Sequence, residues 1–599
     1  MNGCSREAIV AAAIAIVAGG CSGSSSNPEA AFAGGAAGNS TGNGGATVPA
    51  GSANTGSGSS AGSGTGAAAA LPPEVKVESE YQSPVATGNV VWIANPTSGR
   101  VAYIDAKSFE VKTAPAGDGP TVLAAVPDPN PADNPPHDLA IVLNVVSQDA
   151  TLFSLVPPAS GPDIDGQLTM TSLPATSYAN AWAVSTSGRW AIAWTNTTLV
   201  SNPDPEQGYQ SIEVLDVTGA IAPTSLSVGF LPVQMVFSGD ETHAYAVTSD
   251  GITVIDLVAG SATANYPLGA TPSGLPDASP DSESLETTEA GLDGALAAPD
   301  DATAMTASGS PDVSFTPDAS YALVRQDGVQ SLAVISMADG KTTAVSLPDF
   351  PTDLTMSPTG TFAVAVLRDT ATVVVIPIPG IVSDPTSFTT TTIQGQTIGR
   401  AVVTRQGDTA LLFTTAAPVD QMTVLTFQPT PTYRTIPLHA PVLAVFPTSD
   451  AQNAVVLHQL PAGSTDKGAF SVVPIASELP AVLVPLTAAP TAVALTDDRA
   501  LVTIRDDTTA TYAVYMAAMP SLVSTEYPLA SPPLAVGIVL GASSDAGATT
   551  GATGYVAQSY SEGRITFIDL SPDDDGGSRT ITGFDLNAGI VEAVEGTDR

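Results

Sequence analysis

From about residue 74 to residue 599, short runs of apolar and β-branched residues alternate with turns of Gly, Pro, Asp and Ser. No window sustains a helical period, so the pattern predicts an all-β chain. The runs also repeat. Val90-Val91-Trp92-Ile93-Ala94-Asn95 followed by Arg100-Val101-Ala102-Tyr103-Ile104-Asp105 has counterparts in His243-Ala244-Tyr245-Ala246-Val247 with Ile252-Thr253-Val254-Ile255-Asp256, and in Gly554-Tyr555-Val556-Ala557 with Arg564-Ile565-Thr566-Phe567-Ile568-Asp569.

Equivalents of Asp105 fall at Ser154, Asp216, Asp256, Ser336, Pro377, Thr426, Pro474, Met516 and Asp569, at spacings of 49, 62, 40, 80, 41, 49, 48, 42 and 53 residues. Four-stranded propeller blades take about 40–50 residues each, so each unit reads as one blade. Two further runs complete a unit, as in Ser225-Leu226-Ser227-Val228 and Val233-Gln234-Met235-Val236-Phe237, closed by the turn Ser238-Gly239-Asp240. Comparable turns are Thr316-Pro317-Asp318, Ser357-Pro358-Thr359-Gly360, Gln406-Gly407-Asp408 and Thr496-Asp497-Asp498.

With Asn95, Ile104-Asp105 and the turn Gly117-Asp118-Gly119-Pro120, the first unit resembles the YVTN family of β-propeller repeats found in bacterial surface proteins. The positions from Asp105 to Asp569 count about ten four-stranded units, and the resemblance implies a propeller architecture and speaks to fold rather than activity. One large ring and two smaller rings both fit the count. The single ring is expected, because no polar linker divides the units and a closed ring leaves no exposed sheet edge. The 80-residue spacing holds an insertion at about 270–310, carrying Asp277, Asp281, Glu283, Glu286, Glu289 and Asp293, whose acidity predicts a disordered surface loop.

The N-terminus reads differently. Residues Ala8 to Ala18 form an apolar run of 11 residues after Arg6 and before Gly19-Gly20-Cys21. A run of that length suits a signal-peptide core and is too short for a spanning helix, which takes about 20 residues. The small residues before Cys21 resemble the lipobox of bacterial lipoproteins, which implies diacylation of the Cys21 thiol and cleavage of residues 1–20. An ordinary secretory signal cut nearby is the alternative. Residues 21–73 are dominated by Gly, Ser, Ala, Thr and Asn, the composition of a flexible tether reaching about 40 Å from its anchor. Gly58-Ser59-Ser60-Ala61-Gly62 lies in that tether, where the strand and helix that a nucleophile elbow needs are missing from the pattern.

Composition narrows the partners. The 599 residues carry 18 Lys and Arg against 58 Asp and Glu, a formal charge of −40, and no basic patch for phosphate backbones or anionic lipid headgroups. Nucleic acid is excluded as an expected partner. Only two cysteines occur, Cys4 and Cys21, and removal of the signal leaves Cys21 alone, so neither a disulfide nor a thiolate metal site is expected.

Chemistry-bearing residues are sparse. His137 and His243 are expected to open the first strands of their units, which line the channel in propellers, while His439 and His458 fall elsewhere. Structural roles are expected for them. There is no His-Glu-x-x-His, and Gly340-Lys341-Thr342 lacks the preceding glycine of a phosphate loop. Asp573 and Asp575, and Asp163 and Asp165, supply oxygen ligands that suit calcium, without the twelve-residue loop and closing Glu of the best-known calcium motif. Asp128, Asp133 and Asp138 in the Pro-rich segment are weaker candidates. Trp92, Trp182, Trp190 and Trp194 are expected to pack between sheets, with carbohydrate or peptide stacking the alternative.

These readings converge on a lipid-anchored envelope propeller, held at the outer membrane or cell surface, that binds or scaffolds a protein or carbohydrate partner without a cofactor. The alternatives are an enzyme of the lactonase or quinoprotein dehydrogenase type, which the repeat resemblance also admits, and a structural surface-layer component.

Overall fold

The computed structural model describes residues 84–584, apart from 97, 131–134, 201–203, 205–206, 269–310, 429, 461–463, 465, 520–522, 540–550, 561–562 and 572–576. Within these residues there are ten sheets of four strands, each built from four strands consecutive in the chain. All neighbours are antiparallel. The sheets are blades 1 to 10 of a β-propeller, spanning 85–115, 120–174, 181–227, 234–266, 312–346, 353–392, 400–437, 442–486, 489–528 and 533–582. No described helix is long and apolar enough to cross a membrane.

Burial explains the apolar pattern strand by strand. In blade 1 the second strand Val90–Asn95 and the third strand Arg100–Asp105 are buried along most of their length, because neighbouring blades cover both faces of the sheet. Outer strands such as Thr224–Ser227 and Thr389–Thr392 are half-exposed and carry Thr and Ser. The contacts between first strands of successive blades place those strands innermost.

The apolar side chains gather at the blade junctions. Val90, Trp92 and Tyr103 of blade 1 pack with Phe153 and Leu155 of blade 2, and similar clusters join every following pair. The last junction closes the ring: Val91 and Ile104 of blade 1 pack with Tyr555, Ile565 and Phe567 of blade 10. The buried Tyr555 hydroxyl donates to the carbonyl of Pro84 at 2.8 Å. Each such side chain fully buried contributes about 1.5–3 kcal/mol, so closure is held by packing with a hydrogen bond to fix the register. The expectation of one ring over two is met.

Two recurring polar devices set the hairpins. Between first and second strands a Ser or Thr hydroxyl donates to an Asp two residues on, as from Ser238 to Asp240 at 2.8 Å and from Thr316 to Asp318 at 2.7 Å. The same oxygen accepts the backbone N–H that opens the second strand, from His243 at 3.0 Å and Tyr321 at 3.1 Å. Donation by Ser238 and Thr242 holds Asp240 down at about 2. At the end of third strands the Asp of the Ile-Asp pair accepts turn N–H groups. Asp105 takes those of Lys107 and Ser108, each at 2.8 Å, and Asp256 takes that of Ala259 at 2.8 Å. The repeat's most regular acid is therefore a turn cap.

All ten repeat positions from Asp105 to Asp569 lie on third strands. The unit boundary read from the sequence is one strand late. His243 opens the second strand His243–Thr248, and His137 precedes the second strand Asp138–Asn144, so neither sits on an innermost strand. A periodic sequence carries no phase of its own, and several innermost strands are short, as in Val85–Thr87 and Gln234–Phe237. The acidic insertion at 270–310 lies outside the described residues.

Candidate functional site

Cys21, Asp573 and Asp575 lie outside the described residues. Asp163 and Asp165 begin and end a single 3-10 turn in blade 2. Asp165 pairs with the Lys112 ammonium of blade 1 at 2.5 Å, and Asp163 accepts from the Asn89 amide at 2.7 Å. Among the described residues no group of three or more His, Cys, Asp or Glu is arranged to hold a metal ion.

The histidines are not brought together. His243 Nδ1 shares a hydrogen with the Thr242 hydroxyl at 2.8 Å, on a hairpin of blade 4. His439 is exposed on the connection out of blade 7. His458 is buried in blade 8, with Nε2 at 2.7 Å from Ser471 Oγ and Nδ1 at 3.2 Å from the carbonyl of Pro441. Trp92, Trp190 and Trp194 are buried in the junction clusters, and the half-buried Trp182 donates to the carbonyl of Val122 at 3.1 Å. They pack between sheets, which leaves none of the three buried indoles a face for a ligand.

Two clusters of charge stand out at blade junctions. On the hairpin side of blades 1 and 2, burial together with Asp163, Asp105 and Asp128 pushes Asp138 up to about 7. Toward the opposite end of blades 5 to 7, Arg325 bridges Asp312 at 3.4 Å and Asp327 at 2.5 Å. Beside it Asp353 accepts the backbone N–H of Ala401 at 2.9 Å, with Arg400 at 3.8 Å. This second set ties adjacent innermost strands to one another.

A cleft of about 440 Å³ lies between blades 7 and 8. Its walls come from the two hairpins of blade 7, with Gln406, Asp408, Thr426, Tyr433 and Arg434, and from the first hairpin of blade 8, with Asp450 and Gln452. Bonds across blades fix these walls. The Gln406 amide donates to the carbonyl of Ser449 at 2.8 Å, and Arg434 donates to the carbonyls of Pro474, at 3.1 Å, and Ile475. Asp450 accepts from the Thr448 hydroxyl at 2.5 Å and from the N–H of Gln452 at 3.0 Å, while its own N–H donates to Asp497 of blade 9 at 3.0 Å. Tyr433 is 41% exposed, and its hydroxyl accepts from the N–H of Gln394 at 3.3 Å. The cleft thus holds fixed acceptors and fixed donors, while the Tyr433 side chain turns to the blade 6 face of its strand, opposite Arg434. Of its residues only the turn Gln406-Gly407-Asp408 drew notice in the sequence; the others come from separate hairpins that no motif joins.

No family model matches the chain, and none of the curated proteins does. Among solved structures it is similar to a dihydro-heme d1 dehydrogenase, NirN, in complex with DHE, at 13% identity and a TM-score of 0.36, covering 77% of this chain and 78% of that one. It is similar to hydrazine synthase of Kuenenia stuttgartiensis at 15% identity and a TM-score of 0.29, covering 61% and 99%. A eukaryotic initiation factor gives 10% identity and a TM-score of 0.40, covering 72% and 96%. Likeness at this distance carries no activity to this chain. Strand order and ring closure define the class: a ten-bladed β-propeller.

Proposed function

We propose that the chain is a lipid-anchored protein of the bacterial cell envelope whose propeller binds or scaffolds a partner rather than transforming it. The observation that carries the binding reading is the cleft between blades 7 and 8, whose side chains are held from three blades. A ligand meeting walls already fixed loses little to ordering them. Cys21 after Ala18-Gly19-Gly20, and the Gly- and Ser-rich residues 21–73, support an anchor and a tether. The formal charge of −40 directs the search to protein and carbohydrate partners rather than nucleic acid. This reading needs no cofactor.

The test is the intact mass of the mature N-terminal peptide from membrane fractions, wild type against Cys21→Ala. The expected result is a diacylglyceryl mass on Cys21 that the variant loses, together with release of the variant from membranes. An unmodified wild-type peptide in the soluble fraction overturns the anchoring. Turnover of a lactone that disappears on replacing Asp408 or Asp450 overturns the non-catalytic part.

A further inference from the structure

We propose that one corner of the ring, at blades 2 and 3, docks a protein partner through a segment in which an apolar side chain stands between Lys or Arg residues. The corner lies on the side that carries the hairpins between second and third strands, opposite the side of the cleft between blades 7 and 8, and it stands whether or not that cleft binds. Val145 and Val146 form part of the tip between the second strand Asp138–Asn144 and the third strand Asp149–Val156 of blade 2. Tyr178 lies on the connection to blade 3 and lines one small hollow together with Val145. The Tyr178 carbonyl accepts from the Thr195 hydroxyl at 3.0 Å, and the turn Thr197–Leu199 just beyond it brings in Leu199. All four are exposed, Val146 and Tyr178 by 70% and 67%. Single exposed apolar residues are ordinary, whereas four on one corner mark an interaction surface. Tyr178 also stands at φ +67°, where a bulky residue is seldom found, and Ser177 beside it donates to Gln148 at 3.1 Å.

Charge selects the occupant. Between Lys112 and Arg325 the sequence holds one Lys or Arg, Arg189, which precedes the second strand of blade 3 on the other side of the ring and pairs with Asp216. Arg100 of blade 1 donates to Thr113 on its own outer strand. Carboxylates border the patch instead. Asp118 is set beside Val146, whose N–H donates to its carbonyl at 3.1 Å, Asp149 lines the hollow, and Asp204 is exposed beyond Leu199. Asn144 lines the same hollow. Its amide group donates to Asp149 and Thr151, each at 3.0 Å, which leaves its buried Oδ1 without a partner among the described residues. Lys or Arg from a partner brings donors to these acceptors, and the residue between them covers the apolar side chains. An acidic segment or an anionic lipid surface meets like charge here. A second copy docked by the same patch brings the same carboxylates against these.

The experiment selects peptides of about twelve residues from a random display library on the full chain and titrates the enriched ones by calorimetry. Enriched sequences are expected to combine Lys or Arg with Leu, Ile or Phe, and to bind several-fold more weakly as salt rises from about 50 to 500 mM. Tyr178→Ser and Val146→Ser should each weaken binding by about tenfold, the effect of losing roughly one good contact. Val258→Ser, at an exposed valine on the opposite side of blade 4, should leave it unchanged. Unchanged circular dichroism and thermal midpoints show that the variants fold. Failure of the library to enrich, enrichment of acidic peptides, or affinity that ignores both patch substitutions overturns the proposal, as does an equal loss with Val258→Ser. Self-association of the chain, or binding of its Cys21→Ala form to phosphatidylcholine vesicles, that Tyr178→Ser abolishes assigns the patch to a second copy or to lipid and overturns the proposal as well.

Discussion

Two aspartates buried at blade junctions have opposite surroundings. Asp353, on the innermost strand Asp353–Met356 of blade 6, receives the N–H of Ala401 from blade 7 and the hydroxyl of Thr355, with Arg400 close by. Asp138, opening the second strand of blade 2, receives a hydroxyl from Thr87 but is ringed by Asp163, Asp105 and Asp128. Burial is nearly the same, 2% against 8% exposed. Burial alone therefore does not decide what a carboxyl group does here. Donors convert one into a charged stitch between blades, whereas neighbouring acids turn the other into a group that takes up a proton near neutrality.

The sharpest way to break this comparison is Asp353→Ala. The change removes the acceptor of a buried N–H and leaves Arg400 beside a void, and breaking a buried pair from one side costs about 3–5 kcal/mol. A loss of unfolding free energy of that size, read from urea denaturation at neutral pH, is expected. A loss well below 1 kcal/mol would mean that the stitch contributes little and that the two aspartates differ only in their neighbours.

Asp138→Asn should act in the other direction and somewhat less. An ordinary unfolded Asp titrates near 3.9, while the folded Asp138 titrates at about 7. Between those values the folded state binds the extra proton, so its contribution is complete below about pH 4 and is lost as pH rises to 7. The amide keeps the neutral shape at every pH. The variant should be more stable than wild type at pH 8, by about 2–4 kcal/mol, with the gap closing at pH 4. Thermal midpoints across that range check it, and a gap independent of pH sinks the assignment.

Much of the fold was legible because second and third strands are covered on both faces and appear as continuous apolar runs. The Asp105 series located every third strand for the same reason. The phase was not legible, since a four-residue strand such as Gln234–Phe237 has the same look whether it ends one unit or begins the next. The cleft was hidden for a different reason. Arg434 sits on an outer strand, Thr432–Pro437, and gains meaning only from Asp450 and Gln452 across the junction. Side chains that cooperate across blades leave no spacing to read. Asp138 was noticed as an acid in a Pro-rich segment, but its neighbours Asp105 and Asp163 come from the strand and turn on either side of the junction.

The smallest expected effect sharpens the comparison with a buried base. The Pro441 carbonyl only accepts, so His458 Nδ1 carries the hydrogen and Nε2 accepts from the Ser471 hydroxyl. That tautomer is neutral, and burial lowers the His458 pKa below its usual value, with His439 adding in the same direction. An unfolded histidine takes up its proton near pH 6.5, before the folded one does, so this contribution is lost as pH falls from 6.5 toward the folded value. The slope opposes that of Asp138 and is masked by it. In the Asp138→Asn background the masking is gone, and stability should decline from pH 7.5 to pH 5.5. Adding His458→Gln should flatten the decline while lowering stability at pH 7.5, since the ring's packing and its bond to Ser471 are lost. A decline that survives the second substitution would place the titrating group elsewhere in the ring.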